Sequence, residues 1–173
     1  MRTLISGGAG SGKSALAERL AVESAAPVRV YLATMTVWGP EDRERVERHR
    51  ALRAGKGFVT VERTTGLDGL TVPADSVVLL EDLGNLTANE CFGPLGFPGA
   101  EERILAGMEH VSAQCRDLIV VTNELFSDGI AYPAETERYL DLLARLNRAL
   151  AERSDRVVEV AAGLPIAWKG ALP

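Results

Sequence analysis

The chain has 173 residues, of which 46% are hydrophobic and 25% are charged, and its formal net charge is -5. This length and composition predict one globular domain covering residues 1–173. The negative charge argues against a protein that coats nucleic acid, because such proteins carry a broad basic surface. No apolar run is long enough to span a bilayer, and glycines interrupt the first apolar stretch. We therefore expect a cytoplasmic protein without a membrane span or signal peptide.

Short β-branched runs alternate with helical patterns along the chain, which is typical of a parallel sheet with crossover helices. Two runs, at 76–82 and 118–124, are almost continuously apolar, as expected for strands that are covered on both faces. The predicted strands are 2–6, 28–34, 58–63, 76–82, 118–124, 156–163 and 165–170, and the main predicted helices are 11–25, 43–55 and 135–154. Two segments rich in glycine or other turn residues, 91–102 and 126–133, are predicted surface loops.

The stretch GGAGSGKS lies between the first strand and the first helix and matches the phosphate-binding pattern G-x-x-x-x-G-K-S. Its backbone N–H groups would surround a β-phosphate, Lys13 would reach the β- and γ-phosphates, and Ser14 would ligate Mg²⁺. The residues predicted to contact nucleotide here are Gly7, Gly8, Ala9, Gly10, Ser11, Gly12, Lys13 and Ser14. The motif in this setting predicts a doubly wound α/β fold of the P-loop NTPase type, mostly parallel, with an antiparallel C-terminal edge strand.

A second acidic site is expected at the end of the buried strand VVLLED, where Glu81 and Asp82 follow the last leucine. We assign Mg²⁺ to Ser14 and Asp82, although the sequence leaves the division of roles between the two carboxylates open. A solvated strand end is the alternative. The stretch VTNE is not a guanine-reading N/T-K-x-D motif, and a transport-ATPase signature is absent, whereas a nucleoside kinase remains open.

The segment RERVERHRALRAG, residues 43–55, contains His49, one of only two histidines in the chain. On a helix, His49 shares a face with Arg45 and Arg53. Such arginines suit triphosphate oxygens, and they favour a neutral imidazole because a like charge disfavours protonation. A neutral imidazole can attack phosphorus and form a phosphoramidate. The charge pattern by itself favours a simpler alternative, a solvated helix with an incidental histidine.

The chain resembles the bifunctional adenosylcobinamide kinase/adenosylcobinamide-phosphate guanylyltransferases of cobalamin biosynthesis, in order and over nearly its full length. The matching stretches are ISGGAGSGKSALAE, YLATM, ERHRALR, TVE, VVLLED with LTANECF, VTNE with GI, and LNRALAERSDRVVEVAAGLPIAWK. The phosphate loop occurs in many families. The combination of an A-T-x strand end, R-x-x-H-R/K-x-x-R and V-T-N-E is much more specific.

The resemblance identifies His49 as the residue that becomes guanylylated, and the phosphate-loop motif makes Lys13 the second catalytic residue. It implies transfer of phosphate from ATP or GTP to adenosylcobinamide, then transfer of GMP from GTP through His49. It also implies Mg²⁺, a corrinoid substrate and a homotrimer. A carboxylate that accepts from guanine N1–H and N2–H₂ would explain a preference for GTP. The further nucleotide contacts that it implies are Ala33, Thr34, Met35, Arg50, Ala51, Leu52, Arg53, Glu62 and Glu81.

The chain departs from the family pattern mainly where the corrinoid is expected to bind. GKGF replaces a usual tryptophan segment, LFSDGI replaces V-G-x-G-I, YLD replaces F-R-D, and NR replaces N-Q. Two alternatives therefore stay open: a small-molecule P-loop kinase without guanylyl transfer, and a non-catalytic GTP-binding regulatory module. Among the remaining residues, Cys91 and Cys115 are predicted free thiols, His110 a packing or surface residue, and Asn123 and Glu124 possible substrate contacts.

Overall fold

The structure, a computed structural model, describes residues 1–37, 39–124 and 132–172. The strands are β1 Arg2–Ser6, β2 Val28–Ala33, β3 Phe58–Glu62, β4 Ser76–Glu81, β5 Asp117–Val121, β6 Arg156–Ala161 and β7 Leu164–Lys169. The helices are α1 Lys13–Glu23, α2 Pro40–Arg53, α3 Leu83–Phe92, α4 Ala100–Gln114 and α5 Ala134–Arg153, with a 3₁₀ turn at Leu67–Gly69. In this part of the chain, no helix combines the length and the apolar character needed to cross a membrane.

The strands form one sheet in the order β3-β2-β4-β5-β1-β6-β7. Six strands are parallel, and β7 pairs antiparallel with β6 at one edge. This order confirms the predicted mostly parallel α/β sheet with an antiparallel C-terminal edge strand. Because β1, β4 and β5 lie side by side, the segments that leave their carboxyl ends meet at one edge of the sheet.

Alternate residues of the central strands face two separate apolar cores. On β4, Val77 and Leu79 pack with α1, whereas Val78 and Leu80 pack with α3, α4 and α5. This period of two is the ordinary geometry of a strand, and it explains the continuous apolar runs: both faces are covered. Helices on both sides make the fold doubly wound, as predicted. The same alternation places Glu81, the last residue of β4, on the α1 face of the sheet.

The predicted surface loop at 91–102 is wrong at both ends. Helix α3 continues to Phe92 and α4 begins at Ala100, so only residues 93–99 connect them. Arg103 on α4 holds this short connection, because its guanidinium donates to the carbonyl oxygens of Pro98 and Gly96 and pairs with Glu90. These contacts depend on the position of a side chain on α4, which the local glycine and proline pattern does not show. The other predicted loop, 126–133, lies mostly outside the described residues.

Both cysteines are free thiols, as predicted. Cys91 is buried and Cys115 half-buried, and burial raises the pKa of each thiol to about 11. Both are therefore protonated and weakly reactive near neutral pH. His110, predicted as a packing or surface residue, places its Nε2 atom 2.9 Å from the carbonyl oxygen of Leu70.

Candidate nucleotide-binding site

The glycine loop runs from β1 into α1 and requires glycine at specific positions. A Cβ atom on Gly7 would lie 2.6 Å from the carbonyl oxygen of Val160, and Gly12, the N-cap of α1, has φ of 97°. The turn between β6 and β7 closes over the loop, because the Gly163 amide donates to the carbonyl oxygen of Ser11 at 3.0 Å. The loop is thus a close-packed segment of backbone at the amino end of a helix, the geometry that binds phosphate.

Two polar side chains of the loop are buried within it. The Nζ atom of Lys13 donates to the carbonyl oxygen of Gly8 at 3.0 Å, and Lys13 is only 8% exposed. The Oγ atom of Ser11 is buried and has no hydrogen-bond partner in the described part of the chain. A lysine ammonium folded back over a ring of backbone amides provides positive charge where a polyphosphate would lie.

Ser14, at the start of α1, contacts Glu81 rather than Asp82. Its Oγ atom donates to Oε1 of Glu81 at 2.6 Å, and Oε2 of Glu81 is buried without a partner among the described residues. Burial raises the pKa of Glu81 to about 7, although the Ser14 hydrogen bond acts in the opposite direction. A hydroxyl and a carboxylate with an open oxygen fit Mg²⁺, which binds hard oxygen ligands and completes its shell with water and phosphate.

Asp82, the predicted metal ligand, makes two hydrogen bonds in the structure, and its metal role stays a prediction. Its Oδ1 atom accepts from the Asn85 amide at 2.7 Å and so caps α3. Its Oδ2 atom accepts from Nδ2 of Asn123 at 3.2 Å. Glu81 is the last residue of β4 and continues its α1 face, whereas Asp82 follows the strand and caps α3. Glu81 is therefore the carboxylate beside the phosphate loop.

A cavity of about 340 Å³ lies beside the loop, between α2 and the carboxyl ends of β2, β3 and β4. Eight of the predicted site residues line it: Ala33, Met35, His49, Arg50, Arg53, Glu62, Glu81 and Asp82. The residues of the glycine loop do not line it. Glu81 connects the two places, since it lines the cavity and accepts the Ser14 hydrogen bond.

Two further predicted nucleotide contacts do not line this cavity. Thr34 is fully buried, and its Oγ1 atom donates to the carbonyl oxygens of Glu81 and Asp82 at 2.9 and 2.8 Å, so it joins β2 to β4. Ala51 is exposed on α2. The side chain of Leu52 lies outside the part of the chain that the structure describes, as does that of Arg45.

The sequence analysis missed several residues of the cavity wall. The additional lining residues are Tyr31, Val37, Arg43, Val46, Glu47, Thr60 and Asn85. Two signals in the sequence could have identified some of them. Arg43, Val46 and Glu47 precede Arg50 by seven, four and three positions, so they share a helix face with it. Tyr31 lies two residues before Ala33 and therefore faces the same side of β2.

The basic residues of α2 are held differently from one another. Arg50 pairs with Glu62 at 2.8 Å on the surface, where such an ion pair contributes little stability. Arg53 is buried, and its Cζ atom lies 3.4 Å from the centroid of the Tyr31 ring. His49 comes directly before Arg50, is half-buried and lines the cavity.

Polar residues after β5 complete this edge of the sheet. The Glu124 amide donates to the carbonyl oxygen of Gly7 at 3.2 Å, so the segment after β5 lies against the glycine loop. Thr122 donates through Oγ1 to Oδ1 of Asn147 on α5 at 2.7 Å. Asn123 contacts Asp82, as described above. The predicted substrate contacts Asn123 and Glu124 therefore lie at the ligand-binding edge, although their role stays a prediction.

A glycine loop between the first strand and the first helix of a parallel sheet, with a carboxylate against its serine, defines a P-loop nucleotide-binding protein. Solved structures agree on the fold. A type III secretion ATPase matches 96% of this chain and 56% of its own with a TM-score of 0.60 at 15% identity. The PH0250 protein of Pyrococcus horikoshii covers 99% of this chain and 87% of its own with a TM-score of 0.57 at 11% identity. At these identities the likeness concerns the fold alone.

Sequence comparison is more specific. Residues 3–168 match the family described as cobinamide kinase / cobinamide phosphate guanyltransferase. The bifunctional adenosylcobalamin biosynthesis protein CobP of Pseudomonas aeruginosa is 35% identical over 98% of both chains. The corresponding protein CobU of Escherichia coli K12 is 30% identical over 98% of this chain and all of its own. The chain belongs to the cobinamide kinase/guanylyltransferase family, as the sequence motifs indicated.

Proposed function

We propose that the protein phosphorylates adenosylcobinamide and then transfers GMP to the product through His49, giving adenosyl-GDP-cobinamide. Family membership supports both reactions. The observation that carries the proposal is the position of Glu81, which contacts Ser14 of the phosphate loop and also lines the cavity that His49 faces. The phosphate loop and His49 can therefore act on nucleotide that is bound in one region of the protein.

In the first reaction, the substrate hydroxyl attacks the γ-phosphorus of ATP or GTP, and the nucleoside diphosphate leaves. Loop amides and Lys13 stabilise the charge that develops on the transferring group. Ser14 and Glu81 would hold Mg²⁺, and the ion would neutralise charge on the β- and γ-phosphate oxygens. Asp82 caps α3 and accepts a hydrogen bond from Asn123, so this proposal gives the metal to Glu81.

In the second reaction, a neutral imidazole nitrogen of His49 attacks the α-phosphorus of GTP. The N–P bond forms, the bond between the α-phosphorus and the bridging oxygen breaks, and pyrophosphate leaves. A phosphate oxygen of adenosylcobinamide phosphate then attacks the same phosphorus, and the bond to His49 breaks. Two in-line displacements replace one congested displacement, so an accessible imidazole is essential.

Guanine selection is assigned to Glu62 in this proposal. Glu62 is exposed at the end of β3 and lines the cavity, whereas Glu81 is engaged with Ser14. A carboxylate can accept from both N1–H and N2–H₂ of guanine, which adenine does not offer. We expect Glu62→Ala to reduce the ratio of GTP to ATP use, measured as kcat/KM for each nucleotide. An unchanged ratio would return the assignment to Glu81.

The test of the transferase reaction uses both histidines of the chain. Incubation with α-labelled GTP and Mg²⁺ is expected to leave acid-labile label on the wild-type protein and on the matched control His110→Asn. His49→Asn is expected to carry no label. If wild-type protein phosphorylates cobinamide but never carries label, the protein is a small-molecule kinase without guanylyl transfer. Tight GTP binding without either reaction would identify a regulatory module. The homotrimer stays a prediction, to be measured by light scattering.

A further inference from the structure

Arg53 combines three features that an ordinary surface arginine lacks. It is 6% exposed, its guanidinium lies over the Tyr31 ring with Cζ 3.4 Å from the ring centroid, and it lines the cavity. Its Nη1 atom is buried and has no hydrogen-bond partner within residues 1–37, 39–124 and 132–172. Burying an N–H donor without an acceptor is costly, so a missing acceptor is expected at this position. The face of an aromatic ring attracts the positive charge but does not accept the in-plane N–H groups.

The position of Arg53 relates this missing acceptor to the histidine. His49 and Arg53 are four residues apart on α2, so their side chains lie on one helix face, and both line the same cavity. An anionic oxygen bound to Nη1 would therefore lie near the imidazole. The other cavity arginines are poorer candidates: Arg50 already pairs with Glu62, and Arg43 is exposed.

Tyr31 gives the guanidinium a rigid support. It is a buried residue in the middle of β2, which pairs with β3 and β4 on its two sides. Its ring also packs edge-to-face against Phe58, with centroids 6.2 Å apart at 82°. A long arginine side chain normally loses rotamer freedom when it binds an anion. Because Arg53 is already ordered by stacking on a fixed ring, little of this entropy is lost on binding.

We propose that Tyr31 is a positioning residue for guanylyl transfer, whose ring holds Arg53 so that Nη1 binds an α-phosphoryl oxygen of GTP during attack by His49. This inference rests on the proposed transferase function. Arg53 acts through hydrogen bonds alone, so no proton transfer or covalent bond is added to the reaction already written. The competing explanation is that the stacked pair only anchors the end of α2 to the sheet.

The test is a double-mutant cycle on the rate at which α-labelled GTP labels His49. Arg53→Gln is expected to slow labelling about 100-fold, the usual effect of removing one donor to a developing charge. Tyr31→Leu is expected to slow it about tenfold, and the double variant to be no slower than Arg53→Gln, because Tyr31 acts through Arg53. Tyr31→Phe keeps the ring and is expected to label at nearly the wild-type rate.

Several outcomes would overturn the proposal. Multiplicative effects in the double variant, normal labelling in Tyr31→Leu, or a loss in Tyr31→Phe equal to that in Tyr31→Leu would each do so. If Tyr31→Leu fails to fold, as judged by circular dichroism, Arg53→Lys tests the same stacked pair by changing the arginine instead. Lysine keeps the charge but cannot stack flat, so labelling must still fall about tenfold or more. Wild-type protein that never carries label overturns the transferase function and this inference together, whereas labelled wild type with an additive cycle overturns the inference alone.

Discussion

Helices α1 and α2 each present a basic residue to the nucleotide site, but different forces hold them in place. Helix α1 buries Leu16, Ala17 and Ala21 in an apolar core and makes its contacts with β1, β4 and β5. On α2, the one buried side chain among those described is that of Arg53. Polar contacts near its carboxyl end hold α2: the Arg53 stack, the Arg50–Glu62 pair, and Lys56 of the following turn, which contacts Glu18 of α1 at 2.5 Å.

This difference indicates how substitutions should act. The phosphate loop is built into the core, so changes near it are expected to alter stability as well as chemistry. The α2 surface that bears His49 has little apolar packing to lose, so its residues can be changed with smaller effects on folding. Each of the following predictions tests one side of this comparison.

The largest expected effect is that of Lys13→Ala on phosphorylation. Loss of the buried ammonium should reduce kcat for cobinamide phosphorylation about 10²- to 10³-fold, because charge on the transferring group loses a fixed donor. The control is Lys169→Ala on β7, whose Nζ atom donates to main-chain oxygens of Glu152 and Ala151, away from the glycine loop. A loss below tenfold in Lys13→Ala would contradict the role of this lysine.

Glu81 connects the two regions and should make stability depend on pH. Its pKa is raised from 4.5 to about 7 in the folded protein, so the folded state holds a proton that the unfolded state has lost in this interval. The free energy of unfolding should therefore decrease as pH rises from about 4.5 to 7 and change little above. The decrease is on the order of 3 kcal/mol for the nucleotide-free, metal-free protein. Urea unfolding at several pH values measures it, and Glu81→Gln should remove this component.

Two glycines, one in the phosphate loop and one before α2, test whether the two regions differ in packing. Gly7→Ala should destabilise the protein by about 2 kcal/mol, because the new methyl group would meet the Val160 carbonyl oxygen in a backbone conformation that alanine rarely adopts. Gly39→Ala, at the N-cap of α2, has open space and an extended backbone with φ of -150°, so it should cost less, about 1 kcal/mol, because alanine is a poorer N-cap than glycine. Equal costs in thermal unfolding would mean that the two regions do not differ as described.

The smallest effects concern the two ion pairs near the end of α2. Lys56→Ala leaves the buried Glu18 carboxylate without its cation and should cost about 1–2 kcal/mol, less than for a fully buried pair because Lys56 is 40% exposed. Arg50→Ala breaks an exposed pair and should cost less than about 0.5 kcal/mol. Urea unfolding without nucleotide measures both costs. A larger cost for Arg50→Ala than for Lys56→Ala would contradict the assigned burial.

The sequence predicted the parts of this protein that depend on local pattern. Strands β1 to β4 begin where the apolar runs begin and end within one residue of the prediction, because alternating or continuous β-branched runs mark them directly. The predicted strand 118–124 is too long at its carboxyl end, because β5 ends at Val121. The Thr122 and Glu124 amides donate to the carbonyl oxygens of Ile5 and Gly7. These partners are more than 100 positions away, so no local signal could place the boundary.

The sequence predicted which residues form the site better than it predicted how they are arranged. The choice between Glu81 and Asp82 could have been made from strand alternation, had the α1 face of β4 been assigned first. The cavity itself depends on where α2 lies, and the three polar contacts that hold α2 join residues separated by 12 to 38 positions. Tyr31 looked like an ordinary core residue, because its stacking partner follows 22 positions later.

The contact between Gly163 and Ser11 has a consequence for synthesis of the chain. Residues 7–14 leave the ribosome more than 100 residues before β5 and β6, the strands that flank β1, and before the turn that covers the loop; these come from 117–121 and 156–163. We therefore expect a nascent chain to acquire affinity for nucleotide only after residues 156–163 have emerged. Until then it would expose apolar strand surface that chaperones recognise, and nucleotide in the cell could not assist its folding.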